Sequence, residues 1–187
     1  MSIIVTIFSR SLRKSHTLSV LLLNVSGLAV EATKKWINEN QGAGAAEIAE
    51  VITNQQMASA LKSHDKVHIA VQAMFTPQFF KNEEVTKFAP AISAITNSNT
   101  IMERHLIAAL EAFCIDKPKN FPVLVKQLYD NDALEEDTIL QWADEGRNDY
   151  TLQTVDEEIR ARIRAEAEPV VVWLQEAESD EEDDEED

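Results

Sequence analysis

Two segments of the sequence combine aromatic residues with clustered carboxylates, a combination that can bind basic side chains. The first box, residues 128–142, reads LYDNDALEEDTILQW, and the second box, residues 167–179, reads AEPVVVWLQEAES. Seven carboxylates and no basic residue lie between Asp130 and Glu145. Carboxylates attract lysine over a long range, and an apolar surface can carry the methylene stem of a lysine. The two boxes therefore predict a binding surface for basic proteins or peptides.

Part of the first box has a simpler explanation. Glu135, Glu136 and Asp137 stand where a helix is predicted to begin, and carboxylates in a first turn favour the helix dipole without any partner. That explanation does not cover the second acidic cluster, which again follows a tryptophan. Trp142 and Trp173 each lie in an apolar helical stripe, so each is interpreted as a core residue that holds its box in place.

The chain ends in a run of acidic residues. Ten of the last twelve residues are Asp or Glu, and the formal net charge of the chain is −16. A block of like charges repels itself, so residues 179–187 are predicted to form a disordered acidic tail. Its field attracts cations and repels phosphates, which argues against nucleic acid or a membrane as a direct partner. An alternative is that the tail serves solubility alone.

The residues that most often carry catalysis or bind metals are sparse. His64 and His68 share a helix face, as two zinc ligands can, but Asp65 rather than Glu follows the first histidine and no third ligand is evident. The pair is therefore interpreted as structural, and Cys114, on an apolar stripe, as a small core residue. The sequence has no glycine-rich phosphate loop and no nucleophile elbow. We expect no catalytic residues, no cofactor and no metal site.

Helices must position the two boxes, because the chain has only four Gly and five Pro and no sustained alternation of period two. Apolar residues at helical spacing predict about nine helices of roughly 8–20 residues. Asn97–Thr100 is predicted to start one helix, Asp132 to cap the helix that holds Trp142, and Met57–Leu61 to form a short helix of its own. Consecutive amphipathic helices with short connections indicate an all-α fold of stacked antiparallel helix pairs, a HEAT-like α-solenoid.

Three segments are predicted. Residues 1–30 are assigned to an N-terminal extension, in which Arg10, Arg13 and Lys14 precede a short apolar run as in a signal sequence, although an earlier apolar stretch breaks that pattern. Residues 31–178 form the helical domain, and residues 179–187 the tail. A single cysteine suits a reducing, intracellular environment, so we expect a cytoplasmic protein.

Residues 106–114, LIAALEAFC, together with the two boxes, resemble the C-terminal domain of eukaryotic translation initiation factor 5. The resemblance covers residues 31–187. It implies a HEAT-type adaptor that binds lysine-rich segments of the beta subunit of initiation factor 2, contacts initiation factors 3 and 1, and helps to assemble the preinitiation complex. By match to the boxes, the residues that contact partners or support the boxes are Asp130, Asp132, Glu135, Glu136, Asp137, Trp142, Trp173, Glu176 and Glu178.

The sequence also departs from that family. The full-length factor has a domain that stimulates GTP hydrolysis and carries a four-cysteine zinc ribbon, which a chain with one cysteine cannot form. No GTPase-activating activity is therefore expected from this chain alone. Two alternatives stay open: a nucleotide-exchange domain of the initiation factor 2B epsilon type, although no nucleotidyltransferase-like or hexapeptide-repeat region precedes the boxes, and a mimic that competes for the same partners.

Overall fold

The computed structural model describes residues 26–183, with side chains to residue 176. The described part contains eight α-helices and no strand: α1 (26–39), α2 (Ala45–Ala58), α3 (Asp65–Met74), α4 (Glu84–Thr96), α5 (Thr100–Phe113), α6 (Asn120–Tyr129), α7 (Glu136–Asp144) and α8 (Glu157–Asp183). Within residues 26–183, no helix combines the length and the apolar composition needed to cross a bilayer.

Helices α2 to α8 form two layers. Helices α2, α4, α6 and α8 pack side by side in that order, and so do α3, α5 and α7. Neighbours in the chain join the layers, since α2 packs on α3, α4 on α5, and α7 on α8. Each helix from α2 to α6 thus contacts the next helix but one, which is the packing of stacked helix pairs. The predicted all-α, HEAT-like stack is confirmed.

Helix α8 shows how the sequence produces this packing. Ile163, Ala167, Val171 and Leu174, spaced four, four and three residues apart, are all buried. Full burial of a large apolar side chain such as Leu174 stabilises the fold by about 1.5–3 kcal/mol. These four residues fix which face of α8 meets the core. Trp173, next to Leu174 in the chain, consequently lies off that face and is partly exposed.

Several predicted boundaries can be compared with the structure. Asn99 caps α5, because its Oδ1 accepts a hydrogen bond from the backbone N–H of Met102 at 3.1 Å, as predicted. Asp132 is not a helix cap; its φ is 54°, and the N-cap of α7 is Glu135. The prediction of a separate helix at Met57–Leu61 is also wrong, because α2 continues without a break to Ala58.

Both ends of the predicted domain lie near the limits of the described residues. Residues 26–30 are part of α1, and Ala29 and Val30 are in the core. The rest of the predicted N-terminal extension, residues 1–25, lies outside the described residues. Helix α8 continues to Asp183, past the predicted start of the tail at residue 179. Residues 184–187 are not described, and the disorder of the tail stays a prediction.

The predicted histidine pair belongs to a packed cluster. His64 stacks on His105 of α5 with ring centroids 3.9 Å apart, and His68 meets the same ring edge-on at 6.1 Å. Burial, followed by the charges of His64 and His68, lowers the pKa of His105 to about 4. Burial also lowers the pKa of His68. In the described part of the chain, no group of three or more His, Cys, Asp or Glu side chains is arranged to hold a metal ion.

The lowered pKa of His105 predicts a pH dependence of stability. Between pH 6.5, the ordinary histidine pKa, and the folded pKa of about 4, His105 is protonated in the unfolded chain but remains neutral in the folded chain. Acidification through this range therefore costs stability, and His105→Gln removes that contribution. We expect a smaller loss of the free energy of unfolding in the variant, measured by urea unfolding at a series of pH values. Equal losses in both proteins would contradict the shift.

Candidate functional site

The tryptophan of the first box is a core residue, as interpreted from the sequence. Trp142 is 6% exposed, and its ring packs on Phe121 with centroids 4.7 Å apart. Its indole Nε1 donates a hydrogen bond to Oε1 of Glu111 on α5 at 2.8 Å. A buried indole N–H requires such an acceptor. Trp142 therefore anchors the end of the first box and is not part of the exposed surface.

A buried ion pair completes this anchor. Nε of Arg160 on α8 lies 3.2 Å from the same Glu111 oxygen, and both side chains are buried. Nη2 of Arg160 donates to the main-chain carbonyl of Trp142 at 3.0 Å. Burial raises the pKa of Glu111, and the indole N–H and Arg160 oppose that rise. One carboxylate of α5 thus connects α7 to α8.

A second buried carboxylate holds the start of α7. Oε2 of Glu103 accepts hydrogen bonds from Oγ1 of Thr138 at 2.8 Å and from the backbone N–H of Glu135 at 3.1 Å. The N–H groups of a first helical turn have no partner within their own helix, so Glu103 satisfies one of them. Glu103 and Glu111 are eight residues apart, about two turns of α5, and both face α7. Together they fix where the acidic first turn of α7 lies.

The tryptophan of the second box is not a core residue, which corrects the interpretation from the sequence. Trp173 is 41% exposed. The core-facing stripe of α8 is occupied by Val171 and Leu174, which leaves Trp173 on the flank of that stripe. Its ring meets Tyr129 of α6 edge-on, with centroids 5.8 Å apart. The structure therefore presents one of the two box tryptophans to solvent and buries the other.

Trp173 lies beside the end of α6, where the first box begins. Nζ of Lys126 is 4.3 Å from the centroid of the Trp173 ring, and it also binds Oδ1 and Oδ2 of Asp130 at 2.8 and 2.9 Å. The hydroxyl of Tyr129 donates to Oε2 of Glu136 at 3.0 Å. We call Lys126, Tyr129, Asp130, Glu136 and Trp173 the aromatic–acidic patch. It is the place where the structure brings the two boxes together.

The other predicted site residues are close to this patch in the sequence. Asp132, Glu135 and Asp137 are exposed in the loop before α7 and in its first turn, and Glu176 is exposed three residues after Trp173. The side chain of Glu178 lies outside the described residues. The indole of Trp173 thus has the ion pair of Lys126 and Asp130 on one side and the exposed Glu176 about one turn further along α8. Such a surface can attract an ammonium group and hold its apolar stem.

A shallow apolar groove extends the patch. Phe80, Pro122, Val123 and Val170 line it together with Lys126 and Asp130, and Lys126 also contacts Trp173. Lys126 and Phe80 were not among the predicted site residues. The position of Lys126, four residues before Asp130, does indicate an ion pair on one helix face. Nothing in the sequence shows which of the adjacent Phe79 and Phe80 is buried; the structure buries Phe79 and leaves Phe80 66% exposed.

The buried pair predicts a large effect on stability. Glu111→Ala leaves the guanidinium of Arg160 buried without its carboxylate partner, and the indole N–H of Trp142 buried without its acceptor. Removal of one partner of a buried ion pair costs about 3–5 kcal/mol, so we expect a loss of that size in the free energy of unfolding measured with urea. The control is Glu31→Ala, which removes an exposed pair with Lys34 and should cost less than about 1 kcal/mol. Similar losses in the two variants would contradict this role for Glu111.

Relatives of the chain are translation initiation factors. Residues 102–184 match the W2 family, described as eIF4-gamma/eIF5/eIF2-epsilon. Eukaryotic translation initiation factor 5 of Mus musculus is 32% identical over 103 residues, which are 51% of this chain and 22% of the mouse protein. The same factor of Phaseolus vulgaris is 32% identical over 162 residues, which are 76% of this chain and 34% of the bean protein. The chain therefore spans at most about a third of the length of these relatives.

A solved structure supports the same relationship at the level of the fold. The C-terminal domain of translation initiation factor 5 at low pH superimposes with a TM-score of 0.64 and covers 84% of this chain and 97% of that domain, at 20% sequence identity. The matched segment begins in α5 and includes both boxes. Residues 102–184 are thus similar to the W2 family, and the chain resembles eukaryotic translation initiation factor 5 in sequence and has the fold of its C-terminal domain.

Proposed function

We propose that the chain is an adaptor module of translation initiation that binds lysine-rich segments of other initiation factors through the aromatic–acidic patch. One observation carries the proposal: an ammonium group already lies between the exposed Trp173 ring and the carboxylate of Asp130. This geometry suits the side chain of lysine. The relationship to translation initiation factor 5 supports the assignment to initiation. The role assigns the chain to the cytoplasm.

Charge explains how a partner is attracted. The exposed carboxylates of Asp132, Glu135 and Asp137 act over a long range and raise the association rate of a basic segment. Each exposed ion pair contributes only about 0–1 kcal/mol, so useful affinity requires several of them at once. A lysine-rich segment meets this requirement, and an isolated lysine does not. Following the family resemblance, the partners that we propose are the beta subunit of initiation factor 2 and initiation factors 3 and 1.

The groove supplies the apolar part of the binding site. Phe80, Val123 and Val170 lie next to the patch and offer contact to the methylene stems of bound lysines, whose ammonium groups then reach the carboxylates. The module acts by binding and performs no chemical step. The alternative of nucleotide exchange has a direct readout, since a chain of that type would accelerate nucleotide release from initiation factor 2.

Charge reversal tests the patch. We expect the double variant Glu135→Lys/Asp137→Lys to bind a dye-labelled lysine-rich peptide at least about tenfold more weakly than the wild type in fluorescence anisotropy at 0.1 M salt. The wild type should also lose most of its affinity at 1 M salt, where the Debye length falls from about 10 to about 3 Å. Both mutated side chains are exposed, so the fold should persist, which circular dichroism checks.

The matched control is Glu157→Lys/Glu158→Lys. These residues are also exposed and also lie in the first turn of a helix, α8, but distant from Trp173 along its axis. The net charge changes by the same amount, so the control should retain most of the affinity. Equal losses in the two double variants would show that only net charge matters. Affinity that does not change with salt would rule out this mode of binding altogether.

A further inference from the structure

We propose that Lys126 occupies a subsite for the lysine ammonium of a partner, and that partner binding displaces Lys126 from the aromatic–acidic patch. The inference rests on the proposed function and deepens it, because it names one subsite and its resident competitor. Lys126 belongs to α6 and lies four residues before Asp130, the carboxylate with which it forms an ion pair. The folded domain thus carries its own copy of the group that it is proposed to recognise.

The geometry at Lys126 is that of a lysine-binding site. Its Nζ contacts both carboxylate oxygens of Asp130, at 2.8 and 2.9 Å, and lies 4.3 Å from the centroid of the Trp173 ring. A carboxylate supplies the charged acceptor, and an indole face is the most favourable aromatic partner for a cation. Tyr129 packs edge-on against the indole and is itself hydrogen-bonded to Glu136, so the ring is supported from the side.

Lys126 is also easy to displace. The side chains of Lys126 and Asp130 are 43% and 46% exposed, and ion pairs with this exposure are weak. A partner lysine that enters the subsite forms the same contacts that Lys126 gives up. The long side chain of Lys126 can rotate into solvent without moving α6, because its stem is flexible and its head prefers water. The resident lysine therefore lowers the affinity for a partner without blocking binding.

Competition of this kind has a measurable consequence. Lys126→Met keeps a flexible apolar stem and removes the ammonium group, so the subsite becomes open to a partner. We expect the variant to bind a dye-labelled hexalysine peptide, acetylated at its N terminus and amidated at its C terminus, about three- to tenfold more tightly than the wild type. The measurement is fluorescence anisotropy with the full chain at 0.1 M salt.

A matched control separates this effect from a change of net charge. Lys87 on α4 is also exposed and also lies over a ring, 4.9 Å from the centroid of Phe88, but outside the patch. Lys87→Met changes the net charge by the same amount and should alter affinity less than twofold. In a Trp173→Leu background, the gain from Lys126→Met should shrink to that of Lys87→Met, because the indole is part of the subsite.

Each outcome decides between the two proposals. If no variant binds hexalysine, the proposed function fails, and this inference fails with it. If the wild type binds and the two methionine variants show equal gains, the subsite is overturned while the proposed function stands. Weaker binding by Lys126→Met would show that Lys126 supports the shape of the patch and does not compete for it, which also overturns the inference.

Discussion

Two buried carboxylates on one helix determine how the surface of this domain is arranged. Glu103 accepts hydrogen bonds from the first turn of α7. Glu111 accepts a hydrogen bond from the indole of Trp142 and forms an ion pair with the guanidinium of Arg160. A buried carboxylate without its partners costs free energy of folding. These two carboxylates therefore favour the one arrangement of α5, α7 and α8 in which all partners are in place over other packings of the same helices. The position of the exposed acidic residues of α7 depends on that arrangement, because they lie in the turn that Glu103 holds through the N–H of Glu135 and the hydroxyl of Thr138.

The two boxes share a composition but differ in their roles. Trp142 lies on the core-facing side of α7, where its N–H finds a buried acceptor, and it positions the helix. Trp173 lies off the stripe that joins Val171 to Leu174, so its ring remains at the surface beside Lys126 and Asp130. The periodicity of the helix, and not the type of residue, assigns one tryptophan to stability and the other to the surface.

Helical periodicity was sufficient to predict the all-α stack, and the Asn99 cap followed from local chemistry. The exposure of Trp173 was not predicted, because residues 170–174 are all apolar and the local sequence therefore allows more than one core-facing stripe. The packing of α8 on α6 and α7 selects the stripe that contains Val171 and Leu174. Asp132 was misassigned because its left-handed backbone, with φ of 54°, arises from the loop geometry. The sequence also did not predict Lys126 as a site residue. Its ion pair with Asp130 is local, but the indole that it contacts belongs to a helix more than forty residues away in the sequence.

The three tryptophans of the chain, Trp36, Trp142 and Trp173, provide the most direct test of where basic partners bind. Each contributes one indole N–H signal to a proton–nitrogen correlation spectrum, and hexalysine can be titrated into the labelled protein at 0.1 M salt. If the aromatic–acidic patch is the binding surface, the Trp173 signal shifts progressively, while those of the buried Trp142 and of Trp36 on α1 stay in place. A stationary Trp173 signal with a shifting Trp36 or Trp142 signal would contradict that conclusion.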